Sequence, residues 1–217
     1  MNQLYNILLI SSALLAAVAA ASDCQLSCPD GYLSFSRTPT VNNSRTTLWC
    51  VKPIFSQDPI NVVAAKALCA KESAVLTAFE NDAERQQILS ALKTAITSYS
   101  QSVGSLIIDG HRTTQCYTQD TAVLGAAPCN YPGTTFVVDD KHTDPTFMLQ
   151  NFADTEPSGT FYQTELESCL ALSISAFPKR SGGINDFLCN YAKSPLGTDT
   201  IEFWNFGVLC GKLPQFA

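Results

Sequence analysis

Nine cysteines constrain this chain more than any other feature. All of them follow residue 21, from Cys24 to Cys210. What they do depends on the compartment, and the N-terminus speaks to that. Residues 4–21 carry no charge, are dominated by Leu, Ile and Ala, and close on Ala19-Ala20-Ala21 before Ser22 and Asp23. An uncharged apolar run ending in small residues reads as a signal peptide spanning 1–21. The run is short for a membrane span and lacks flanking positive charge. No later stretch is apolar enough to cross a bilayer. The chain is therefore expected to be secreted into oxidising surroundings, where cysteines pair. An odd count leaves one over, and spacing alone does not select the partners.

Removing 21 of the 217 residues leaves 196, enough for one domain over 22–217 with a real core. A formal net charge of −6 argues against a nucleic-acid partner, which needs a basic footprint. Asn42-Asn43-Ser44 is an N-glycosylation sequon in a polar stretch suited to a surface loop, so Asn42 is an expected glycan attachment point.

Cys28-Pro-Asp-Gly-Tyr32 reads as a turn leading into a strand, residues 36–47 as a hairpin loop, and Trp49-Cys50-Val51 as the returning strand. Cys28 and Cys50 would staple that hairpin. Asp58-Pro59 is a helix start, with Val62, Val63, Ala67 and Leu68 at roughly helical spacing. A second helix starts near Asn81-Asp82, with Glu84 as capping-box partner and Ile88, Leu89, Leu92 and Ile96 on its apolar face. The pattern then changes. Residues 105–110 read as a buried strand, and 169–174, 186–191 and 206–210 as later ones. Cys116 and Cys129 bracket a Gly/Pro/Thr-rich loop, and residues 130–168 show little regular pattern, which in a compact domain usually signals function. Helices early and strands late give an α+β fold.

That irregular region ends in Glu156-Pro-Ser-Gly-Thr-Phe-Tyr-Gln-Thr-Glu-Leu-Glu-Ser-Cys169, and Asn185-Asp186 follows shortly before Cys189. Carboxylates and amide carbonyls at this density are the oxygen donors that a hard cation such as calcium takes, six to eight at a time. Phe161 and Tyr162 lie inside the loop and are candidates for stacking on a sugar face, whereas Trp49 and Trp204 are expected in the core. An enzyme is disfavoured. The two histidines, His111 and His142, have no zinc-ligand spacing. There is no Gly-x-Ser-x-Gly elbow, and two acids alone are weak evidence for a glycosidase pair.

Residues 28–213 together resemble a long-form C-type lectin-like domain, most similar to secreted nematode members. The residues that carry the likeness are Cys-Pro-x-Gly-Tyr at 28–32, Cys69 in the first helix, Leu106-Ile-Ile-Asp-Gly110, the Asp109-Gly-His-Arg112 run, the extra pair Cys116 and Cys129, and Cys169 with Cys189. The resemblance implies a C-type lectin-like fold of two helices with small antiparallel sheets, a long irregular ligand loop, and four disulfides. These are Cys28–Cys50, Cys69–Cys210, Cys116–Cys129 and Cys169–Cys189. Cys24 is left over and is expected to form an interchain bond to a second copy. The resemblance also implies a calcium site beside a cis-proline, with a sugar completing the ion's coordination. Its pattern matches Glu156-Pro157-Ser158, Glu167 and Asn185-Asp186, with Ser158 where the family carries Asn or Asp. Glu156, Ser158, Glu167, Asn185 and Asp186 are thus the expected metal ligands and carbohydrate contacts, with Ca2+ as cofactor. The implied role is calcium-dependent recognition of microbial or self surface glycans, as in innate defence. The alternative is a calcium-independent protein-interaction domain on the same scaffold.

Overall fold

The computed structural model describes residues 25–196 and 204–216. The expected signal peptide and Cys24, with its interchain bond, lie outside the described residues. The chain opens with β1 (Leu26–Ser27), β2 (Leu33–Ser36) and β3 (Leu48–Phe55). β2 and β3 form the expected antiparallel hairpin, with Phe35 opposite Trp49, and Cys28–Cys50 staples its base. Asn42 is exposed in the connecting loop.

Helix α1 runs Val62–Lys71. It starts beyond Asp58-Pro59 because Asn61 is the residue that caps it, accepting from the Ala64 N–H at 3.0 Å. Strand β4 (Val75–Leu76) and helix α2 (Asp82–Ser98) follow. Asn81 caps α2 as expected, its Oδ1 accepting from the Glu84 N–H at 2.9 Å. The reciprocal half of the box is displaced by one residue. The Glu84 carboxylate accepts from the Glu80 N–H at 3.0 Å and holds the buried Arg37 guanidinium.

The remaining strands are β5 (Gly104–Arg112), β6 (Phe136–Val137), β7 (Phe161–Tyr162), β8 (Glu165–Leu166), β9 (Cys169–Ile174), β10 (Ile184–Phe187), β11 (Asn205–Lys212) and β12 (Gln215–Phe216). The main sheet has the order β10-β9-β5-β11-β3-β2, with β4 on β11 and β6 on β5. Its ladders are antiparallel except β5–β11, which is parallel. β1 pairs with β12 and β7 with β8 as separate two-stranded sheets. β10 begins at Ile184, two residues before the expected start, because Ile184 is a core residue with no exposure.

The central strand β5 explains its own apolar run. Successive side chains of a strand point to opposite faces. Leu106 and Ile108 pack in the larger cluster with Ile88, Leu92 and Ile96 of α2, Trp49, Leu170, Leu172 and Phe206. Ile107 points the other way, into a smaller cluster with Ala65 and Cys69 of α1, Ala171, Val208 and Cys210. One helix thus covers each face, and a strand buried on both sides shows no polar alternation. All four implied disulfides are present. Cys69–Cys210 closes a loop of 141 residues, and a constraint of that length stabilises by about 4–5 kcal/mol through the unfolded chain. Trp49 is buried and donates from Nε1 to Thr77 Oγ1 at 3.0 Å, while Trp204 is half-buried at the edge of the larger cluster.

Candidate functional site

The sheet order delivers the site. β5, β9 and β10 are neighbours, so the end of β5, the second residue before β9 and the middle of β10 meet at one edge. These positions hold Arg112, Glu167 and Asp186. The Arg112 N–H donates to the Ser168 carbonyl at 2.8 Å, which fixes the first two. The 156–160 segment lies across them and is tied down where the Glu167 N–H donates to the Thr160 carbonyl at 3.0 Å. The Glu156–Pro157 peptide is cis, as the family pattern implies. Cys169–Cys189 bonds the two strands that carry the site.

Four of the five expected residues converge. Asp186 has no exposure. Its Oδ1 accepts from the Ser158 N–H at 2.9 Å, and its Oδ2 accepts from the Gly159 N–H at 3.1 Å and from Arg112 Nη2 at 2.7 Å. Glu167 Oε2 accepts from Ser158 Oγ at 2.6 Å and from the Thr160 N–H at 3.0 Å. Glu156 accepts from Arg180 Nη2 at 2.7 Å on one oxygen and from the Ser158 N–H at 2.9 Å on the other. The fifth residue, Asn185, neighbours Asp186 on the strand and so projects to its other face. Its amide nitrogen donates to the Asp186 carbonyl at 2.9 Å, and its Oδ1 is buried with no partner. Glu165 is outside the cluster and accepts from Asn190 through both oxygens.

Burial dominates the electrostatics. It pushes the Glu156 carboxyl up to about 8, helped by the charge of Asp186 and opposed by the Ser158 N–H and Arg180. It raises Glu167 as well, with Asp186 adding to the effect. Asp186 is also raised by burial, and the Arg112 guanidinium pulls it back. Three carboxylates gathered away from water need a counter-charge. Arg112 and Arg180 supply it.

The two arginines are the residues that sequence reasoning missed. A signal was available: Arg112 ends an otherwise apolar, doubly buried strand, and a buried cation requires an acidic partner. The Arg112 side chain is 4% exposed. It also donates from Nε to the Glu167 carbonyl at 3.1 Å and lies over the Phe136 ring at 4.7 Å. Calcium takes six to eight oxygens with free lone pairs. Here both Asp186 oxygens, both Glu156 oxygens and Glu167 Oε2 already face N–H, hydroxyl or guanidinium donors, and two guanidinium charges would face the ion. Only Glu167 Oε1 and the orphaned Asn185 Oδ1 face no donor, and Asn185 projects to the other face of β10. As arranged, this donor set does not fit calcium, and among the described residues no group of three or more His, Cys, Asp and Glu forms a metal cage.

Phe161 and Tyr162 are half-buried. Phe161 meets the edge of Tyr117 at 6.3 Å, and the Tyr117 hydroxyl accepts from the Leu166 N–H at 3.1 Å. Tyr162 meets Tyr191 at 5.7 Å. Both rings hold the β7–β8 hairpin down.

Fold and disulfide pattern agree with the family comparison. Residues 34–213 match the family model described as C-type lectin domain-containing protein 141/158. The chain belongs to this C-type lectin domain family. It is 45% identical over 207 residues to C-type lectin domain-containing protein 158 of Caenorhabditis elegans, covering 95% of this chain and 98% of that protein. It is 34% identical over 206 residues to C-type lectin domain-containing protein 141 of the same organism, covering 87% of this chain and 66% of that one. Among solved structures, the mouse scavenger receptor C-type lectin carbohydrate-recognition domain is similar at 17% identity and a TM-score of 0.48, over 88% of this chain and 99% of that one. In this C-type lectin domain the long-loop edge offers fixed hydrogen-bond donors and acceptors held by two strands and a disulfide.

Proposed function

We propose that this C-type lectin domain is a secreted recognition protein that binds glycans, of microbial or self surfaces, through the loop face carrying Glu156, Ser158, Glu167, Asn185 and Asp186, without catalysing a reaction. The observation that supports it is the convergence of Glu156, Ser158, Glu167 and Asp186 from two distant segments onto one disulfide-stapled edge. Membership of a lectin-domain family supports the ligand class.

The calcium-dependent form of this reading follows from the residue types. The ion pairs favour a second form on the same scaffold, in which Arg112 and Arg180 take over the charge balance and recognition of glycan or protein proceeds without metal. One experiment separates them. The purified secreted protein is applied to a glycan array in calcium and in excess EDTA, beside Asp186→Ala. Glycan binding lost in EDTA and in the variant supports the calcium form. Glycan binding kept in EDTA but lost in the variant supports the arginine form. No glycan bound in either buffer removes the carbohydrate reading and leaves the protein-interaction alternative.

A further inference from the structure

Beside the cluster lies a cleft of about 270 Å3 between Pro157-Ser158-Gly159 and the segment that leaves the Cys116–Cys129 loop. Arg112, Asn130, Tyr131 and Pro132 line it. Arg112 is used on two of its three nitrogens: Nε and Nη2 are hydrogen-bonded, while Nη1 has no hydrogen-bond partner among the described residues. Those two bonds pin the guanidinium, and Nη1 is left to the solvent beside it. Tyr131 is 50% exposed although aromatic. Its ring is set in place by Gly133, where a Cβ would come within 2.5 Å of a ring carbon. An unpartnered planar donor beside a fixed, exposed ring is the chemistry that holds a sugar: hydroxyls accept from the guanidinium while the C–H face of the ring lies on the aromatic.

We infer that this cleft is a subsite for one neutral pyranose ring, held by Arg112 and Tyr131 without a metal ion. The inference rests on the carbohydrate-binding reading and deepens it. Size selects a single ring, since pockets for larger ligands start at roughly 300 Å3. Charge selects a neutral one. The positive charge of Arg112 is already matched by Asp186, and the chain carries −6 overall. A carboxylated or sulfated sugar would be repelled.

The test uses the full secreted chain in excess EDTA, titrated with neutral methyl pyranosides of manno, gluco, galacto and fuco configuration and followed by ligand-observed NMR. Wild type should bind at least one of them. Tyr131→Ala should weaken that sugar about ten-fold, Tyr131→Phe should retain it, and both should melt within a degree or two of wild type because the ring is half-exposed. Array binding that requires calcium and survives Tyr131→Ala overturns the subsite while leaving the carbohydrate reading standing. Absence of any pyranoside binding in EDTA also overturns the subsite. Absence of glycan binding in both buffers overturns the two together.

Discussion

Arg112 Nη2 stands 2.7 Å from Asp186 Oδ2, with the two side chains buried at 4% and 0% exposure. An ion pair this deep is unforgiving, because removing one partner strands the other charge in a medium that solvates it poorly. Asp186 is one of the residues that the family pattern implies as a metal ligand, and here it faces a guanidinium instead.

Arg112→Gln should therefore destabilise the domain by about 3–5 kcal/mol, the range for breaking a buried pair. It should also create a response to metal. Wild type is expected to melt at the same temperature in millimolar calcium and in EDTA. The variant, with its carboxylates short of a counter-charge, should melt higher in calcium than in EDTA, by an amount set by mass action. Scanning calorimetry of both proteins in both buffers decides. A wild-type melting temperature that rises with calcium, with no larger response in Arg112→Gln, would show that the arginine does not replace the ion.

The expected donor set was legible in the sequence because Glu156, Glu167 and Asp186 stand at fixed offsets from a proline and two cysteines. Their partners were not. Arg112 lies 74 residues from Asp186 in sequence, and only the sheet order β10-β9-β5 puts them together. The same contrast holds for the fold. The start of α2 could be placed near Asn81-Asp82 from its cap and apolar spacing, since capping is local. The parallel β5–β11 pairing joins strands about a hundred residues apart and leaves no local mark. β10 starts two residues before and ends four before the 186–191 expected from the sequence, because its apolar anchor, Ile184, precedes the polar pair Asn185-Asp186.

Asp109 gives the domain a pH dependence away from the loop. It is buried, its Oδ2 accepts from the Asp140 N–H at 2.6 Å, and Asp139, Asp140, Lys66, Lys141 and His142 line the cavity it faces. Burial pushes its carboxyl from 3.8 up to about 7, against the pull of the Asp140 N–H and with the charges of Asp139 and Asp140 adding to the rise. Between those two values the folded chain holds a proton that the unfolded chain has lost. Stability from this group is complete below pH 4 and declines as pH rises through 7. The decline should be on the order of 4 kcal/mol. Asp109→Asn should flatten the curve of unfolding free energy against pH between about 4 and 7. An equally steep curve in the variant would place the titration elsewhere.

Phe161 and Tyr162 should behave as packing residues. Both rings are half-buried and make T-shaped contacts with Tyr117 and Tyr191 that tie the hairpin to the loop. Phe161→Ala with Tyr162→Ala should make the β7–β8 hairpin more susceptible to limited proteolysis and lower stability by about 2–4 kcal/mol. Glycan affinity in the folded fraction should fall less than in Tyr131→Ala. The reverse order of affinities would return the stacking role to the hairpin.

Gly183 sets how closely the acidic loop approaches β10. A Cβ at this position would lie 2.6 Å from the Ala153 Cα and 2.7 Å from its nitrogen, which are backbone atoms that cannot rotate aside. Ala153 is held there by its N–H donating to the Ile184 carbonyl at 2.8 Å, and its own carbonyl accepts from the Glu156 N–H at 3.0 Å. Displacing Ala153 therefore displaces Glu156, which the Arg180 pair and the Ser158 N–H would then have to follow. Gly183→Ala should cost about 1–3 kcal/mol, the usual penalty for overpacking. Its effect on recognition should be larger than its effect on melting, because the shift acts on the loop while leaving the clusters around α1 and α2 intact. Limited proteolysis across 153–160 and glycan affinity, measured beside the melting temperature, check this. A variant that melts lower yet keeps full affinity would show that the position of Glu156 does not matter to binding.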